Sequence, residues 1–254
     1  MILMCVFTKK GIRAVKKIVR SINITAEELN NTRTMRNDFI NNFSHEFKTP
    51  IISISGFAKM LKDENLSDEE KEEYLNIIIS ESDRLSQLST NVLNLTRLSN
   101  QAIVTNKTNF NVSEQIRNVI ILLEHKWSEK NIEVNFECDE YTLNASEELL
   151  QQLWINLIDN AIKYSPEDSK ITIDIIRTDS TLVFTVEDTG KGMDENTAKH
   201  AFDSFFQGDL SHKTSGNGIG LAIAKRVCEL HEGDIKIKRT DESGTVFEII
   251  LPTE

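Results

Sequence analysis

Apolar residues recur at helical spacing through the first hundred residues of the chain, and residues 14–99 contain one proline and one glycine. This pattern predicts two long helices, the first running to about Leu61 and the second beginning at Ser67-Asp68-Glu69-Glu70, a sequence typical of a capped helix start. The second helix carries apolar residues at heptad spacing: Ile78, Leu85 and Val92, with Leu88 and Leu95 offset between them. Such heptads are typical of the seam of a coiled coil or helical bundle.

Two helices of this kind cannot bury their apolar stripes against each other alone. The short connection between them favours an antiparallel hairpin, and a hairpin with an uncovered stripe usually pairs with a second copy of itself. We therefore predict a homodimer in which two hairpins form a four-helix bundle.

The periodicity changes after a polar stretch at residues 100–109. Helical patterns alternate from there with strand patterns: helices at residues 112–130, 146–164, 195–206 and 218–230, and strands at residues 132–138, 170–177, 181–187, 234–239 and 245–251. Elements in this order predict a mixed sheet covered by helices on one face. The predicted fold class is thus α + α/β, a long helical hairpin followed by a two-layer α/β sandwich.

Composition and charge narrow the possible functions. The chain has 39% apolar and 27% charged residues, as an ordinary soluble globular protein does. Its net charge of −11 argues against nucleic acid as a direct partner, because a phosphate backbone would be repelled. Three cysteines far apart, Cys5, Cys138 and Cys228, form no disulfide framework and no zinc motif, which fits a reducing cytoplasm.

The N-terminal segment leaves two interpretations open. Residues 1–7 are apolar, and six basic residues follow between Lys9 and Arg20. Seven residues cannot span a bilayer, but the pattern resembles the cytoplasmic end of a membrane helix with its positively charged flank. That interpretation predicts a membrane tether through a segment upstream of Met1. A basic N-terminus without a membrane role is equally compatible with the sequence.

Residues 44–50, which read Ser-His-Glu-Phe-Lys-Thr-Pro, lie inside the first predicted helix. Neutral histidine offers a nucleophilic nitrogen near pH 7, and the neighbouring carboxylate of Glu46 can hold the tautomer of His45 that leaves the other nitrogen free. Thr49 lies one helical turn beyond His45, where its hydroxyl can position a water. Pro50 is expected to bend the helix. An isolated His-Glu pair is usually a solvated helix surface, but the complete string favours a nucleophilic role.

The predicted helix at residues 146–164 has a polar face. Asn156, Asn160 and Lys163 project from it, while leucines point towards the opposite side. An asparagine carbonyl is a suitable hard ligand for Mg²⁺, and a lysine can neutralise phosphate charge. The alternative is the ordinary solvated face of an amphipathic helix.

Two glycine-containing segments complete the candidate chemistry. Asp188, at the end of a predicted strand, can accept a hydrogen bond from an adenine amino group, and Gly190 and Gly192 allow close backbone approach. An ordinary glycine turn and an aspartic protease motif are the alternatives, and the protease lacks its second carboxylate. Residues 216–221 bring glycines to a helix start, where backbone donors can bind phosphate, and the polar residues 207–215 before them predict a mobile lid.

In this order and on these elements, the four segments resemble the sensor histidine kinases of bacterial two-component systems, whose ATP-binding fold is shared with gyrase, Hsp90-type chaperones and the mismatch-repair ATPases. The resemblance runs from about residue 35 to the end, and includes a phenylalanine motif at Phe202, Phe205 and Phe206 and a last match at Gly244 and Thr245. It implies a membrane-proximal or linker helix at residues 1–34, a dimerisation and histidine phosphoacceptor domain at 35–100, a linker at 101–111 and an ATPase domain at 112–254.

The resemblance also assigns roles to residues. It implies that His45 is phosphorylated, Glu46 is its general base and Thr49 serves dephosphorylation of the partner. The cofactors that the resemblance implies are ATP and Mg²⁺, with Asn160 as the metal ligand and Asp188 as the residue that recognises adenine. The other implied nucleotide contacts are Asn156, Lys163, Tyr164, Gly190, Gly192, Phe206, Lys213, Gly216, Gly218, Gly220, Leu221 and Thr245.

This resemblance implies that the chain is the cytoplasmic portion of a sensor kinase. Such a kinase autophosphorylates His45, passes the phosphoryl group to an aspartate in the receiver domain of a response regulator, and has phosphatase activity towards that regulator.

Gln207 departs from the family pattern, because many members carry an arginine there, and Lys213 is a candidate substitute. Two other hypotheses remain: an ATP-driven conformational machine of the gyrase or chaperone type, which leaves the His45 motif unexplained, and a nucleotide-sensing scaffold, which only Gln207 supports.

Overall fold

The computed structural model describes residues 9–208 and 217–253, and for residues 9–15, 23–36 and 38 it describes the backbone alone. Helix α1 spans Lys9–Met60 and continues through Pro50. Helix α2 spans Asp68–Asn100, and its predicted cap is confirmed: the Ser67 hydroxyl accepts from the Glu70 N–H at 3.1 Å, and the Glu70 carboxylate accepts from the Ser67 N–H at 2.8 Å. The two helices pack as a hairpin.

The hairpin buries only part of its apolar surface. Leu88, Leu95 and Leu98 of α2 are buried. Other large apolar side chains of the hairpin remain about half exposed: Ile40, Ile51, Ile52, Met60, Leu75, Ile79 and Leu93. None of the helices that the structure describes is both long and apolar enough to cross a membrane.

The rest of the described chain is built on a five-stranded sheet and a two-stranded sheet. The larger sheet has the order β2-β4-β5-β7-β6, in which only the β2–β4 pair is parallel. Its strands are β2 (Glu133–Phe136), β4 (Lys170–Arg177), β5 (Thr181–Asp188), β6 (Asp234–Asp241) and β7 (Gly244–Pro252). The smaller sheet pairs β1 (Thr108–Asn111) with β3 (Thr142–Ala145) in antiparallel register.

The helices of this part of the chain are α3 (Val112–Leu122), α4 (Glu124–Glu129), α5 (Glu147–Tyr164), α6 (Glu195–His200) and α7 (Gly220–Leu230). Of these, α5 packs on β5 of the larger sheet, and α7 packs on β6 and β7. The side chains that α5 turns towards the sheet are fully buried, and its Trp154 ring lies 4.8 Å from the Phe184 ring of β5. The predicted α + α/β class is therefore confirmed.

Some predicted elements differ from those of the structure. The helix predicted at residues 112–130 breaks at Leu123 into α3 and α4, and there the Trp127 indole donates to the Ile120 carbonyl at 2.9 Å. The helix predicted at 195–206 ends at His200. Strands β1 and β3 were not predicted, because each has only four residues, and the alternation of exposed and buried residues in β3 is too short to distinguish a strand from a loop. Strand β1 forms the end of the predicted linker at residues 101–111.

A buried histidine connects the end of α7 to the start of α5. His231 is 5% exposed, its Nε2 accepts from the Ser146 N–H at 3.1 Å, and its Nδ1 lies 2.8 Å from the Val227 carbonyl. A backbone N–H needs an acceptor and a carbonyl needs a donor, so the imidazole is neutral with its proton on Nδ1. Burial lowers the pKa of His231 below its ordinary value.

This histidine predicts a loss of stability in acid. Because the folded-state pKa is depressed, the unfolded chain binds the proton more readily, and the free energy of unfolding falls as the pH drops below about 6.5. The variant His231→Gln keeps an acceptor without the titration, so urea unfolding across pH 5–7.5 should show a flatter profile than the wild type. Parallel profiles for the two proteins would contradict this role of His231.

Candidate active site

The sequence-predicted acceptor, His45, lies on α1 with an exposed side chain, and its neighbour Glu46 is held by the second helix of the hairpin. The Arg84 guanidinium on α2 lies 3.2 Å from the Glu46 carboxylate, and both side chains are largely buried. The same guanidinium reaches Glu81 at 4.0 Å. The carboxylate next to His45 therefore has a fixed position, which a charged partner from another element sets.

Arg84 is a residue that the sequence analysis missed. Positions 46 and 84 lie at similar distances from the turn of the hairpin, so an antiparallel register places them near each other. That symmetry, combined with a basic residue next to the seam residue Leu85, is the signal that could have identified the pair.

Thr49 lies one turn beyond His45, as predicted. Its side chain is exposed, and its hydroxyl donates to the His45 carbonyl at 3.3 Å. The hydroxyl is thus held on the same part of the helix surface as His45, the predicted acceptor.

On α5, the three predicted polar residues differ in their surroundings. The Asn156 amide donates to the Gln152 carbonyl at 2.8 Å. Asn160 is half-buried, and its side chain makes no hydrogen bond among the described residues. Its carbonyl oxygen is therefore available to coordinate a metal ion. The Lys163 ammonium lies 3.1 Å from the Tyr164 hydroxyl and 4.6 Å from the centre of the Tyr164 ring.

Asp188 ends β5 with a carboxylate that is 4% exposed. Its Oδ1 accepts from the Gly190 N–H at 2.9 Å and from the Thr245 N–H at 3.2 Å. Burial raises the pKa of Asp188, and the two backbone hydrogen bonds oppose that rise. No hydrogen bond to Oδ2 is made within the described part of the chain, so one oxygen of a well-anchored carboxylate is available to a ligand donor.

Close approaches at two glycines bring three of the predicted segments together. A Cβ at Gly190 would lie 2.6 Å from the Tyr164 carbonyl, at the end of α5. A Cβ at Gly220, the first residue of α7, would lie 2.9 Å from the Asn156 Oδ1. The end of α5, the loop after β5 and the start of α7 therefore lie together, and we name these three segments the nucleotide-binding cluster after the role that the sequence predicts for them.

The remaining predicted contacts surround this cluster or lie outside the described residues. Gly218 adopts a φ of +62°, Leu221 packs on the core and the Thr245 hydroxyl lies 3.1 Å from that of Thr240. Phe206 is half-buried, with its ring 5.4 Å from that of His200. Lys213 and Gly216 fall in residues 209–216, outside the described part of the chain.

The structure does not bring His45 into contact with the nucleotide-binding cluster. No hydrogen bond, ion pair or ring contact joins the His45 side chain to these segments among the residues that the structure describes. The acceptor and the cluster are two separate parts of the candidate site. Backbone donors, a free amide oxygen, an ammonium group and a buried carboxylate give the cluster the means to bind a nucleotide.

Family models match both parts. Residues 35–101 match the His Kinase A (phospho-acceptor) domain, and residues 145–254 match the histidine kinase-, DNA gyrase B- and HSP90-like ATPase. The first match contains His45 and the second contains the whole nucleotide-binding cluster.

Curated relatives cover nearly the whole chain. The heme sensor protein HssS of Staphylococcus epidermidis (strain ATCC 12228 / FDA PCI 1200) is 31% identical over 229 residues, which is 90% of this chain and 50% of the relative. HssS of Staphylococcus aureus (strain Newman) is 30% identical over 231 residues, 91% of this chain and 50% of the relative. The chain thus spans about half the length of the curated relatives it matches.

Solved structures show the same architecture. The histidine kinase ThkA, in complex with the response regulator protein TrrA, is 26% identical with a TM-score of 0.69, covering 98% of this chain and 68% of that one. The Acinetobacter baumannii histidine kinase AdeS is 22% identical with a TM-score of 0.68, covering 83% of this chain and 98% of that one, a likeness of fold.

The loop after β5 should not tolerate a side chain at Gly192. This residue has a φ of +67°, and a Cβ on it would lie 2.0 Å from the Asp241 carbonyl oxygen. We expect Gly192→Ala to lower the free energy of unfolding by at least about 1–2 kcal/mol, the cost of a left-handed backbone alone. Chemical denaturation measures the change.

Gly56 is the matched control, because it lies within α1 and a Cβ there meets nothing within 4 Å. Gly56→Ala should raise helix stability by about 0.5–1 kcal/mol. Equal effects of the two alanine substitutions would contradict the close packing of the loop after β5.

Proposed function

The chain belongs to the sensor histidine kinases of two-component systems, and on this premise we propose that it uses ATP to phosphorylate its own His45. The convergence of three segments around the buried Asp188 carboxylate carries the proposal, because it provides a nucleotide site in the same chain as the acceptor histidine. The chain is then the cytoplasmic kinase portion of a longer sensor. Its match to only about half the length of the curated relatives supports this view.

In this proposal Asp188 selects adenine. Its Oδ2 accepts a hydrogen bond from the exocyclic amino group, while the Gly190 and Thr245 N–H groups hold Oδ1. Guanine presents a carbonyl oxygen at the corresponding position, so the same carboxylate would repel it. The close approach of Gly190 to the end of α5 supports a position of the base beside the helix that carries Asn160 and Lys163.

Asn160 fits the role of Mg²⁺ ligand. Its amide makes no hydrogen bond within the described residues, and the described chain contains no group of three or more acidic, histidine or cysteine side chains that could hold a metal. One neutral oxygen donor suits a Mg²⁺ that completes its octahedron with phosphate oxygens and water. The ion bound with ATP would neutralise phosphate charge, and Lys163 would supply a further positive charge.

The chemical step is an in-line displacement. A ring nitrogen of His45 attacks the γ-phosphorus, a nitrogen–phosphorus bond forms, the bond to the bridging oxygen breaks, and ADP leaves. The Glu46 carboxylate accepts the ring proton, and Arg84 keeps that carboxylate in position. Transfer of the phosphoryl group to an aspartate of a response regulator follows, and the complex of the similar kinase ThkA with a response regulator supports this kind of partner.

Several finer assignments belong to the same proposal. The exposed Thr49 hydroxyl, one turn from His45, serves dephosphorylation of the regulator by orienting a water. The half-exposed apolar residues of the hairpin support a homodimer, because a second hairpin would cover them. A membrane tether upstream of Met1 and a phosphate contact by Lys213 or Gly216 remain predictions from the sequence.

Replacing the acceptor tests the proposal. We expect His45→Gln to abolish labelling of the protein by γ-labelled ATP, because glutamine lacks the nucleophilic nitrogen, while nucleotide affinity stays within about twofold. Gel autoradiography measures the first and nucleotide fluorescence titration the second. Free phosphate release without phosphoprotein, or labelling that persists in the variant, would overturn the assignment of His45.

The base-reading role of Asp188 has its own test. Asp188→Asn keeps an Oδ1 for the two backbone donors but presents an amide N–H₂ where Oδ2 was, so two donors would face each other. We expect ATP affinity to fall about 10- to 100-fold, the effect of one unmade buried hydrogen bond, without a comparable loss of folding stability. Calorimetric titration with ATP measures the change. Unchanged affinity would contradict adenine recognition by this carboxylate.

A further inference from the structure

A lysine from another part of the chain binds the C-terminal end of α5. Lys130 directly follows α4, and its ammonium group donates to three backbone carbonyls at that end: those of Ile162 at 2.8 Å, Lys163 at 3.0 Å and Ser165 at 2.9 Å. The last carbonyls of a helix have no partner within the helix, and the helix dipole favours a cation beside them. Lys130 therefore caps α5.

The cap uses the whole donor capacity of the ammonium group. A lysine side chain carries three N–H donors and no acceptor, and here each carbonyl takes one donor. The half-buried Lys130 therefore has no donor left over for a nucleotide. Any effect of this side chain on nucleotide binding must pass through α5.

The backbone holds Lys130 in this position. Its carbonyl accepts from the Asp168 N–H at 3.0 Å, and the Ser169 carbonyl accepts from the Glu133 N–H at 2.8 Å. The Asn131 amide also donates to the Asp168 carboxylate at 2.5 Å. The connection after α4 and the connection after α5 are thus joined independently of the Lys130 side chain, so a substitution at position 130 removes the cap and leaves these links in place.

The capped turn carries predicted nucleotide contacts. The carbonyl of Lys163 is one of the three that Lys130 binds, and the Lys163 ammonium lies 4.6 Å from the centre of the Tyr164 ring. The Tyr164 carbonyl lies against the loop after β5, because a Cβ at Gly190 would be 2.6 Å from that oxygen. The turn that Lys130 caps is therefore also the turn that meets the rest of the nucleotide-binding cluster.

A long side chain needs a fixed backbone to hold its charge in one place. Helix ends fray, and a lysine carries its ammonium on a flexible four-carbon stem. Without Lys130, the carbonyls on both sides of position 164 would lose their partner, and the last turn of α5 would be less strongly held. The Lys163 ammonium would then no longer be directed to one position.

We propose that Lys130 is a positioning residue for nucleotide binding, which fixes the last turn of α5 so that the Lys163 ammonium meets the phosphate groups of ATP. The inference rests on the proposed function, in which Lys163 supplies positive charge to the phosphates. Lys130 does not touch the nucleotide. The two lysines therefore act as one unit, and loss of either side chain removes the same phosphate contact.

A double-mutant cycle tests this coupling. Calorimetric titration with Mg-ATP compares the wild type, Lys130→Met, Lys163→Met and the double variant, since methionine keeps an unbranched apolar stem without the ammonium. We expect Lys130→Met to weaken ATP binding about three- to tenfold and Lys163→Met at least as much. The double variant should bind within about twofold of Lys163→Met, because residues that act through one contact are not additive. A role in overall stability alone would leave the two effects additive.

Two further variants serve as controls. Lys130→Arg restores a cation with several donors and should bind ATP within about threefold of the wild type. Lys126 lies on α4 and pairs with the Asp159 side chain of α5, not with its terminal carbonyls. Lys126→Met should therefore leave ATP affinity unchanged within about twofold. If Lys130→Met does not fold by circular dichroism, Lys130→Gln takes its place in the same cycle, with the same coupling expected.

The outcomes separate the role of Lys130 from the proposed function. Unchanged ATP affinity on loss of the Lys130 ammonium, or a double variant weakened by the product of the two single effects, would overturn the positioning role. A wild-type protein that does not bind ATP would overturn the proposed nucleotide site and this role with it. Coupled effects on ATP affinity, with no labelling of any protein by γ-labelled ATP, would overturn the kinase function alone and leave the role of Lys130 supported.

Discussion

The burial of one side of α5 against the sheet is the interaction on which the nucleotide site depends. Leu150, Leu153, Leu157 and Ala161 are completely buried there, and each large apolar side chain contributes about 1.5–3 kcal/mol when it is removed from water. The Trp154 indole also donates to the Gln115 side chain at 3.0 Å, which fixes the rotation of the helix. With that rotation set, Asn156, Asn160 and Lys163 must project away from the core.

The other segments are arranged around this helix. The loop after β5 approaches the end of α5 at Gly190, the start of α7 approaches Asn156 at Gly220, and His231 ties the end of α7 to the cap of α5. The Asp188 carboxylate then connects the loop to β7 through Thr245. Each of these contacts needs a small residue or a buried polar group, so the residues that shape the site also hold the domain together.

Much of the fold followed from local patterns, since the heptads of α2, the Ser67 cap and the β4–β5 hairpin are encoded in short stretches of sequence. The residues of the nucleotide-binding cluster were also recognisable, because their motifs, in this order along the chain, resemble those of a known family. Arg84 and Lys130 were not, since each contact joins positions far apart in the chain. The pairing of β1 with β3 was not predicted for the same reason, because two strands of four residues carry little signal in the sequence.

The proposed kinase function requires that His45 receives the γ-phosphoryl group of ATP. The most direct measurement is to incubate the intact protein with Mg-ATP, test the lability of the bound phosphate and map it by mass spectrometry under alkaline conditions. We expect an acid-labile, base-stable phosphate on the tryptic peptide of residues 37–48, which contains His45. Acid-stable phosphate, or phosphate on another peptide, would contradict it.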